Sequence, residues 1–366
     1  METLIFIYLL IFPFGKLLGL WPDFIILGIA IVGVFKLKLR PNGVLIVFLF
    51  SLVFSSGFLK FSNLLVGFLY LVRLASYFLL GQVVFEIFGK RKKGRAFIFN
   101  SLILVGCFIG FFGLIQYFLF PDLRALKMWG WDDHYFRLTS TFLDPAFGGI
   151  LLVLTEILVV IRTIGKRTLL NYLLCVFIMI TILLTYSRAS YLAFGVGMMV
   201  VMWRFREKLV LILMVIFGLL IFVLPQQASE GTDLARTYSI SQKLINYEES
   251  LKVIAKSPVF GIGFNNLCAF KEKYLGEKNI SSHTCSGLDN GVLMIVATTG
   301  IVGLMVLIKF MFELIEKTRK DVYGWGLVAS LAGVFIHGMF TNTFFYSFVL
   351  GWLALLVGIS RKKIKD

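Results

Sequence analysis

Acidic residues are scarce in this chain of 366 residues, with 20 Asp and Glu against 36 Lys and Arg, so that only 15% of its side chains are charged. A soluble domain carries about a quarter. Together with 59% apolar residues and a mean hydropathy of +0.91, this shortage excludes a soluble enzyme. Four cysteines are too few for a disulfide-stapled secreted scaffold. Three histidines leave little for a metal centre. Asp132-Asp133-His134 pairs carboxylates with an imidazole, but three adjacent residues seldom turn all their ligand atoms toward one ion. The net charge of +16 is spread along apolar sequence, which excludes a nucleic-acid-binding domain.

What the chain has in abundance is apolar blocks near the ~20 residues that cross a bilayer core, separated by short basic clusters. The expected fold is an all-α polytopic membrane protein, a single integral membrane domain over 1–366 with about twelve spans. They fall at 3–20, 22–35, 43–59, 63–88, 96–120, 146–161, 169–186, 189–203, 209–224, 288–308, 322–339 and 342–359. Pro13 and Gly15 interrupt the first, which lipid tolerates where neighbouring helices repair the backbone. That block has no basic leader before it and reads as a retained span.

The loops after even-numbered spans, at 36–40, 90–95, 162–167, 204–208 and 309–320, together with the tail from 361, hold most of the basic residues. Cytoplasmic loops retain positive charge. Both termini are therefore expected in the cytoplasm, with the odd loops outside. Two outward segments are too long for connectors: an external loop at 121–145 and an external cap loop at 225–287, between spans 9 and 10. Within the second, Ile240, Leu244, Tyr247, Leu251 and Ile254 recur at helical spacing until Ser257-Pro258. This predicts an amphipathic helix from about Ala235, with Arg236 on its apolar face, lying on the membrane surface or packed on the spans.

Arg188, at the outward junction of spans 7 and 8, reads either as a side chain reaching the headgroups or as part of a site. Arg73 lies inside span 4, where a charge costs ~2.5–3.5 kcal/mol and needs a partner or a polar cavity; Glu156 and Glu86 are the candidate partners. Arg137, Arg188 and Arg236 all fall on the outer side, and converging guanidiniums suit a phosphorylated lipid headgroup, because Arg grips phosphate oxygens bidentately and stays charged. His337, near the outer end of span 11, reads as a satisfied polar group. His283 and Asp289, just before span 10, are candidate general bases. Cys107 and Cys175 lie in spans, whereas Cys268 and Cys285 share the long loop, where an oxidising exterior permits a disulfide. Gly261-Ile262-Gly263 lacks a preceding strand and marks a tight turn.

Taken in order, Ser187-Arg188, then Arg236 through Ser257-Pro258-Val259-Phe260-Gly261-Ile262-Gly263, then Asp289-Asn290 through Thr299-Gly300-Ile301-Val302-Gly303 resemble the O-antigen ligase and O-antigen polymerase superfamily. Arg137, in RLTSTFLDPAFGG, resembles that family's segment before span 6. The resemblance covers about 120–303. It implies a helical glycosyltransferase of the bacterial cytoplasmic (inner) membrane, working on the outer side without metal or other cofactor. Its donor would be an undecaprenyl-diphosphate-linked glycan and its acceptor a hydroxyl on a glycan or lipid. Arg188 and Arg236 would then hold the diphosphate, with Arg137, Arg73, Tyr238 and Asn290 as further substrate contacts. Where the family often has His-Asn, this chain has Asp289-Asn290. His283 is favoured as base by its ordinary pKa of ~6.5, and Asp289 by its position. A lipid-linked-glycan flippase or other transporter is the competing reading, disfavoured by the one-sided loops and the absence of matching halves.

The topology is testable with reporter fusions. A cytoplasmic marker after residue 93 or 363 should be active, and only an external marker should be active near 278. The twelve-span arrangement fails if 278 and 363 report the same side.

Overall fold

A computed structural model of the chain describes residues 1–39, 61–129, 134–225, 231–263, 266–274 and 287–362. Among them the regular structure is helical: α1 Glu2–Ile11, α2 Trp21–Leu37, α3 Phe61–Val84, α4 Lys92–Leu119, α5 Pro145–Gly165, α6 Leu169–Leu183, α7 Arg188–Phe205, α8 Lys208–Val223, α9 Tyr238–Lys256, α10 Leu267–Tyr274, α11 Gly291–Glu316, α12 Val322–Gly338 and α13 Ser347–Ser360. A helix underlies each expected span except the third, 43–59, which lies outside the described residues. Four stretches are long and apolar enough to cross a membrane, Gly67–Gly89, Lys92–Leu119, Pro145–Gly165 and Gly291–Glu316, while α6, α8, α12 and α13 are shorter apolar helices.

The bundle is organised around α5. Every residue from Ile150 to Ile161 is buried, as expected of a helix that is apolar on all sides, and α4, α6, α7 and α12 surround it. Small residues permit this closeness in place of a hydrophobic driving force. A Cβ at Gly106 of α4 would fall 1.9 Å from the Thr155 hydroxyl, and one at Gly149 of α5 only 2.3 Å from that of Ser190 in α7. Glu156, in the middle of α5, is fully buried, with neither carboxylate oxygen hydrogen-bonded among the described residues.

Glu156 is therefore not the partner of Arg73, and Glu86 binds Lys90. The Arg73 Nε instead donates to Asp23 Oδ1 at 2.8 Å, and the Tyr77 hydroxyl donates to the same oxygen at 2.6 Å. The half-buried charge is compensated across α2 and α3, a pairing of residues 50 positions apart.

Two of the expected spans are broken helices. The first stops at Ile11, and Gly15 takes φ 54° within the following tight turn; the Thr141 hydroxyl donates to the Pro13 carbonyl at 2.6 Å, replacing an intrahelical bond. The second break is at Gly300 in α11, with φ 67° and ψ −171°. There the segment after α9 enters the gap. The Ile262 and Gly263 amides donate to the carbonyls of Ala297 and Thr298 at 2.8 and 3.0 Å, and the Ile301 amide donates to the Pro258 carbonyl at 2.9 Å. The expected tight turn at Gly261 is thus one half of an interlock whose other half is the Thr299-Gly300 motif.

No side chain fits at either centre of that interlock. A Cβ on Gly300 would lie 2.0 Å from the Val259 carbonyl oxygen, and one on Gly261, at φ 71°, would lie 2.3 Å from the Thr298 backbone. Gly300→Ala should therefore cost on the order of 2–3 kcal/mol, seen as a lower melting temperature of the detergent-purified protein. Gly28→Ala, whose Cβ meets nothing within 4 Å among the described residues, should melt like wild type. Equal melting of the two variants would show that the interlock does not hold α11.

Candidate functional site

Helices α5, α7 and α11 begin close together, each with a polar side chain over its first turn. Asp144 Oδ1 accepts from the Ala146 and Phe147 amides at 2.7 and 2.9 Å, the Ser187 hydroxyl accepts from the Ser190 amide, and Asn290 Oδ1 accepts from Val292 and Leu293 at 2.9 and 3.1 Å. Three helix N-termini present their positive dipole ends to one region.

Arg188 is the first residue of α7. Its Nη1 donates to the carbonyls of Leu234 and Arg236 at 3.3 and 3.1 Å. Arg236 in turn donates from Nη1 to the carbonyls of Gly231 and Asp233 at 2.7 and 2.9 Å, winding 231–236 into a turn beneath its own guanidinium. Arg236 therefore precedes α9, which starts at Tyr238, and is not on its apolar face. Arg137 borders the same turn, its Cδ lying 3.0 Å from where a Cβ on Gly231 would stand. Its Nε and Nη2 donate to the carbonyls of Thr185 and Tyr186, at the exit from α6, where a cation suits the negative end of the helix.

The face of α9 that meets the bundle is mixed, not wholly its apolar one. Ile240, Leu244 and Leu251 are exposed, while Lys243, Tyr247, Ser250, Val253 and Ile254 turn inward. The reason is what lies beneath: a polar turn at 339–343 that needs donors. Lys243 Nζ donates to the Phe340 carbonyl, and the Tyr247 hydroxyl donates to that of Met339 at 2.7 Å. The outward apolar stripe suits a helix resting on a lipid surface. At the other end, buried Lys271 of α10 binds Glu249 at 2.9 Å, and Cys268 is disulfide-bonded.

His337 is fully buried, with Nδ1 2.6 Å from the Thr343 hydroxyl and Nε2 3.4 Å from that of Ser190. It is the satisfied polar group the sequence suggested, and it ties the 339–343 turn to the start of α7.

Lys243 is the residue that sequence reasoning missed. Burial lowers its pKa below the ordinary lysine value; Asp289 and Asp144 act against that, and the guanidiniums of Arg188 and Arg236 add to it. All four charges are thus near enough to act on its ammonium. Asp289 is held by its amide, which donates to Asn246 Oδ1 of α9 at 3.0 Å. The structure accordingly assembles Arg188, Arg236, Lys243, Asp144 and Asp289 around the three helix starts, with Arg137 at the border. Arg73 is committed to Asp23, and Asn290 to capping α11. His283, Cys285, Asp132 and Asp133 and the side chain of Tyr238 lie outside the described residues. Among the described residues no group of three or more His, Cys, Asp or Glu could hold a metal ion.

The apolar helical bundle defines the class, a helical membrane protein, and cations gather where three of its helices begin. Residues 173–308 match the family model described as O-antigen ligase, which supports membership of the O-antigen ligase and polymerase superfamily. No curated protein matches the chain.

The lowered pKa of Lys243 gives the site a pH signature. Losing its proton removes a positive charge, so anion affinity should fall as pH rises through that lowered value. Fold stability should run the other way. The unfolded chain holds this proton up to about 10.5, so between the two values it binds more protons than the folded one, and stability rises with pH. Lys243→Arg should flatten the alkaline loss of pyrophosphate binding, and Lys243→Met should weaken binding about tenfold at neutral pH. An alkaline limb unchanged in the Arg variant would assign it to another group.

Proposed function

We propose that the protein transfers a glycan from a lipid diphosphate to an acceptor hydroxyl at the outer face of the cytoplasmic membrane. The observation that supports this best is the gathering of Arg188, Arg236, Lys243 and Asp289 at the helix starts, all four inside the segment that matches the O-antigen ligase family. The bundle is multi-pass, with both termini in the cytoplasm.

The reaction is a displacement at the anomeric carbon. The acceptor oxygen forms a bond to that carbon while the bond to the lipid diphosphate breaks, and the acceptor proton passes to a base. Negative charge grows on the leaving diphosphate, where fixed cations and helix dipoles act without reorganising. Arg188 and Arg236 hold its oxygens, and Lys243 supplies a third charge over them. Asp289, whose charge acts on Lys243, serves as the base in this proposal; His283, the base favoured by its ordinary pKa, is the alternative from the sequence. Arg137 acts through the backbone it anchors, and Arg73 through its bond to Asp23.

Purified protein supplied with a diphosphate-linked glycan tests the reading. Arg188→Lys and Arg236→Lys keep the charge but lose the fork, so each should impair transfer strongly while insertion and melting stay normal. Asp289→Asn should lose about 10²–10⁴-fold, with His283→Ala nearly active. The reverse result makes His283 the base. Wild-type turnover by both Lys variants would remove the arginines from the site, and translocation of the lipid across vesicles with no new glycosidic bond would make the protein a transporter.

A further inference from the structure

Asp144 joins the site to a second polar cluster. Its carboxylate is near enough to act on the Lys243 ammonium, on the Lys16 ammonium and on the Tyr346 hydroxyl. Lys16 belongs to the turn Phe12–Leu18 that breaks the first expected span, and its Nζ stands 5.6 Å over the ring of Tyr346, the residue before α13. Asp23 and Arg73 also act on Lys16, and Arg73 and Tyr77 act on Tyr346. The first turn, α2, α3 and the start of α13 thus bring polar side chains together beside the start of α5.

Two groups in this cluster have hydrogen-bonding capacity that the fold does not use. One is Tyr346, whose ring is fixed by stacking on Phe147 of α5 at 3.9 Å, with 15° between the planes, and by Lys16 over it. Its hydroxyl is buried and has no hydrogen-bond partner among the described residues. A hydroxyl left unpaired in an apolar interior is costly, and the stacked ring cannot turn to find a partner. The other group is Asp23. The Arg73 Nε and the Tyr77 hydroxyl both donate to its Oδ1, and among the described residues Oδ2 receives no hydrogen bond. The Asp23 and Arg73 side chains keep 15% and 30% of their surface exposed, so the pair is open to a ligand.

The chemistry of the cluster selects that ligand. Two carboxylates, Asp23 and Asp144, oppose an anion, so this is not a continuation of the diphosphate site. The Tyr346 ring is already taken by Phe147 and Lys16 and offers no platform for a flat aromatic group. What remains is a hydroxyl, a carboxylate oxygen and an ammonium, which suit a group that donates and accepts at several points at once. Sugar hydroxyls do this.

We infer that this cluster seats the acceptor, and that the acceptor is a glycan. Its hydroxyls take the Tyr346 hydroxyl, Asp23 Oδ2 and Lys16 as partners, and the reacting hydroxyl lies at Asp144, which borders the donor's cations. This deepens the function proposed above and rests on it for the reaction. Arg73 and Tyr77 are positioning residues: they hold Asp23 by one oxygen and so present the other.

The test separates sugar from phosphate. In full-length protein in nanodiscs, binding is measured for two probes: inorganic pyrophosphate, and the phosphate-free glycan released by mild acid from the diphosphate-linked donor. Tyr346→Phe removes one hydroxyl and keeps the stack, and Asp23→Asn keeps the shape and loses the charge. Tyr172→Phe, at an exposed position of α6, is the control. Tyr346→Phe and Asp23→Asn should each weaken glycan binding about tenfold and leave pyrophosphate binding unchanged, whereas Lys243→Met should do the reverse. Should Asp23→Asn melt early, Tyr346→Phe decides. Absence of glycan binding by the wild type, or equal glycan binding by wild type and Tyr346→Phe, overturns the assignment. Transfer is read on the same samples. Both variants should raise the KM for acceptor and leave that for donor alone; an unchanged acceptor KM refutes the seat and leaves the transferase. Glycan binding that is lost in Tyr346→Phe, with no transfer even by the wild type, refutes the transferase and leaves a glycan site standing.

Discussion

In a bilayer every backbone N–H and C=O must find a partner within the protein, and the broken helix at Gly300 is where this demand shapes the molecule. Opening α11 exposes carbonyls and amides at mid-bundle. The turn segment after α9 closes them with its own backbone, and in doing so it is drawn into the bundle by bonds no lipid can replace. Because α9 is fixed at that end, its other end is fixed too, and Lys243 and the turn carrying Arg236 meet the start of α7 at a defined place.

From this the polarity of the inward face of α9 follows. A soluble amphipathic helix turns its apolar stripe to the protein because water is the alternative. If α9 rests on the membrane as proposed, lipid is the alternative, as apolar as the stripe itself, and Ile240, Leu244 and Leu251 gain nothing by facing the bundle. The polar residues do gain, since the 339–343 turn offers carbonyls that would otherwise go unpaired. The sequence pattern was read as a helix that either rests on the membrane surface or packs on the spans, and its half-exposed stripe is compatible with the first.

The same distinction separates what could be read in the sequence from what could not. Hydrophobic blocks locate helices because span length is set by the bilayer, and the arginines drew attention because a charge among apolar residues is costly wherever it lies. Pairings were illegible. Nothing in the chain links Arg73 to Asp23, or Pro258 to Ile301, until helices pack. Gly300 was visible only as part of a motif, since a glycine in an apolar run looks the same whether it admits a neighbour or breaks the helix. Lys243 was hidden by its setting, because a lysine on the polar face of an amphipathic helix ordinarily belongs to solvent.

The cost of the arrangement is electrostatic. Three helix N-termini and the cations Arg188, Arg236 and Lys243 occupy one region, and burial makes their mutual repulsion stronger than at a surface. Asp144 and Asp289 offset part of it, and the backbone carbonyls of 231–236 and Phe340 offset more by accepting the N–H groups. What is left is an excess of positive potential that a bound anion relieves. A ligand that binds the folded state stabilises it in proportion to the logarithm of its concentration over Kd, so a diphosphate would act here as a structural element as well as a substrate. Departure of the lipid diphosphate after transfer would then return the site to its less stable form. In the proposed reaction, the repulsion that favours capture of the donor would also set how tightly the product is retained.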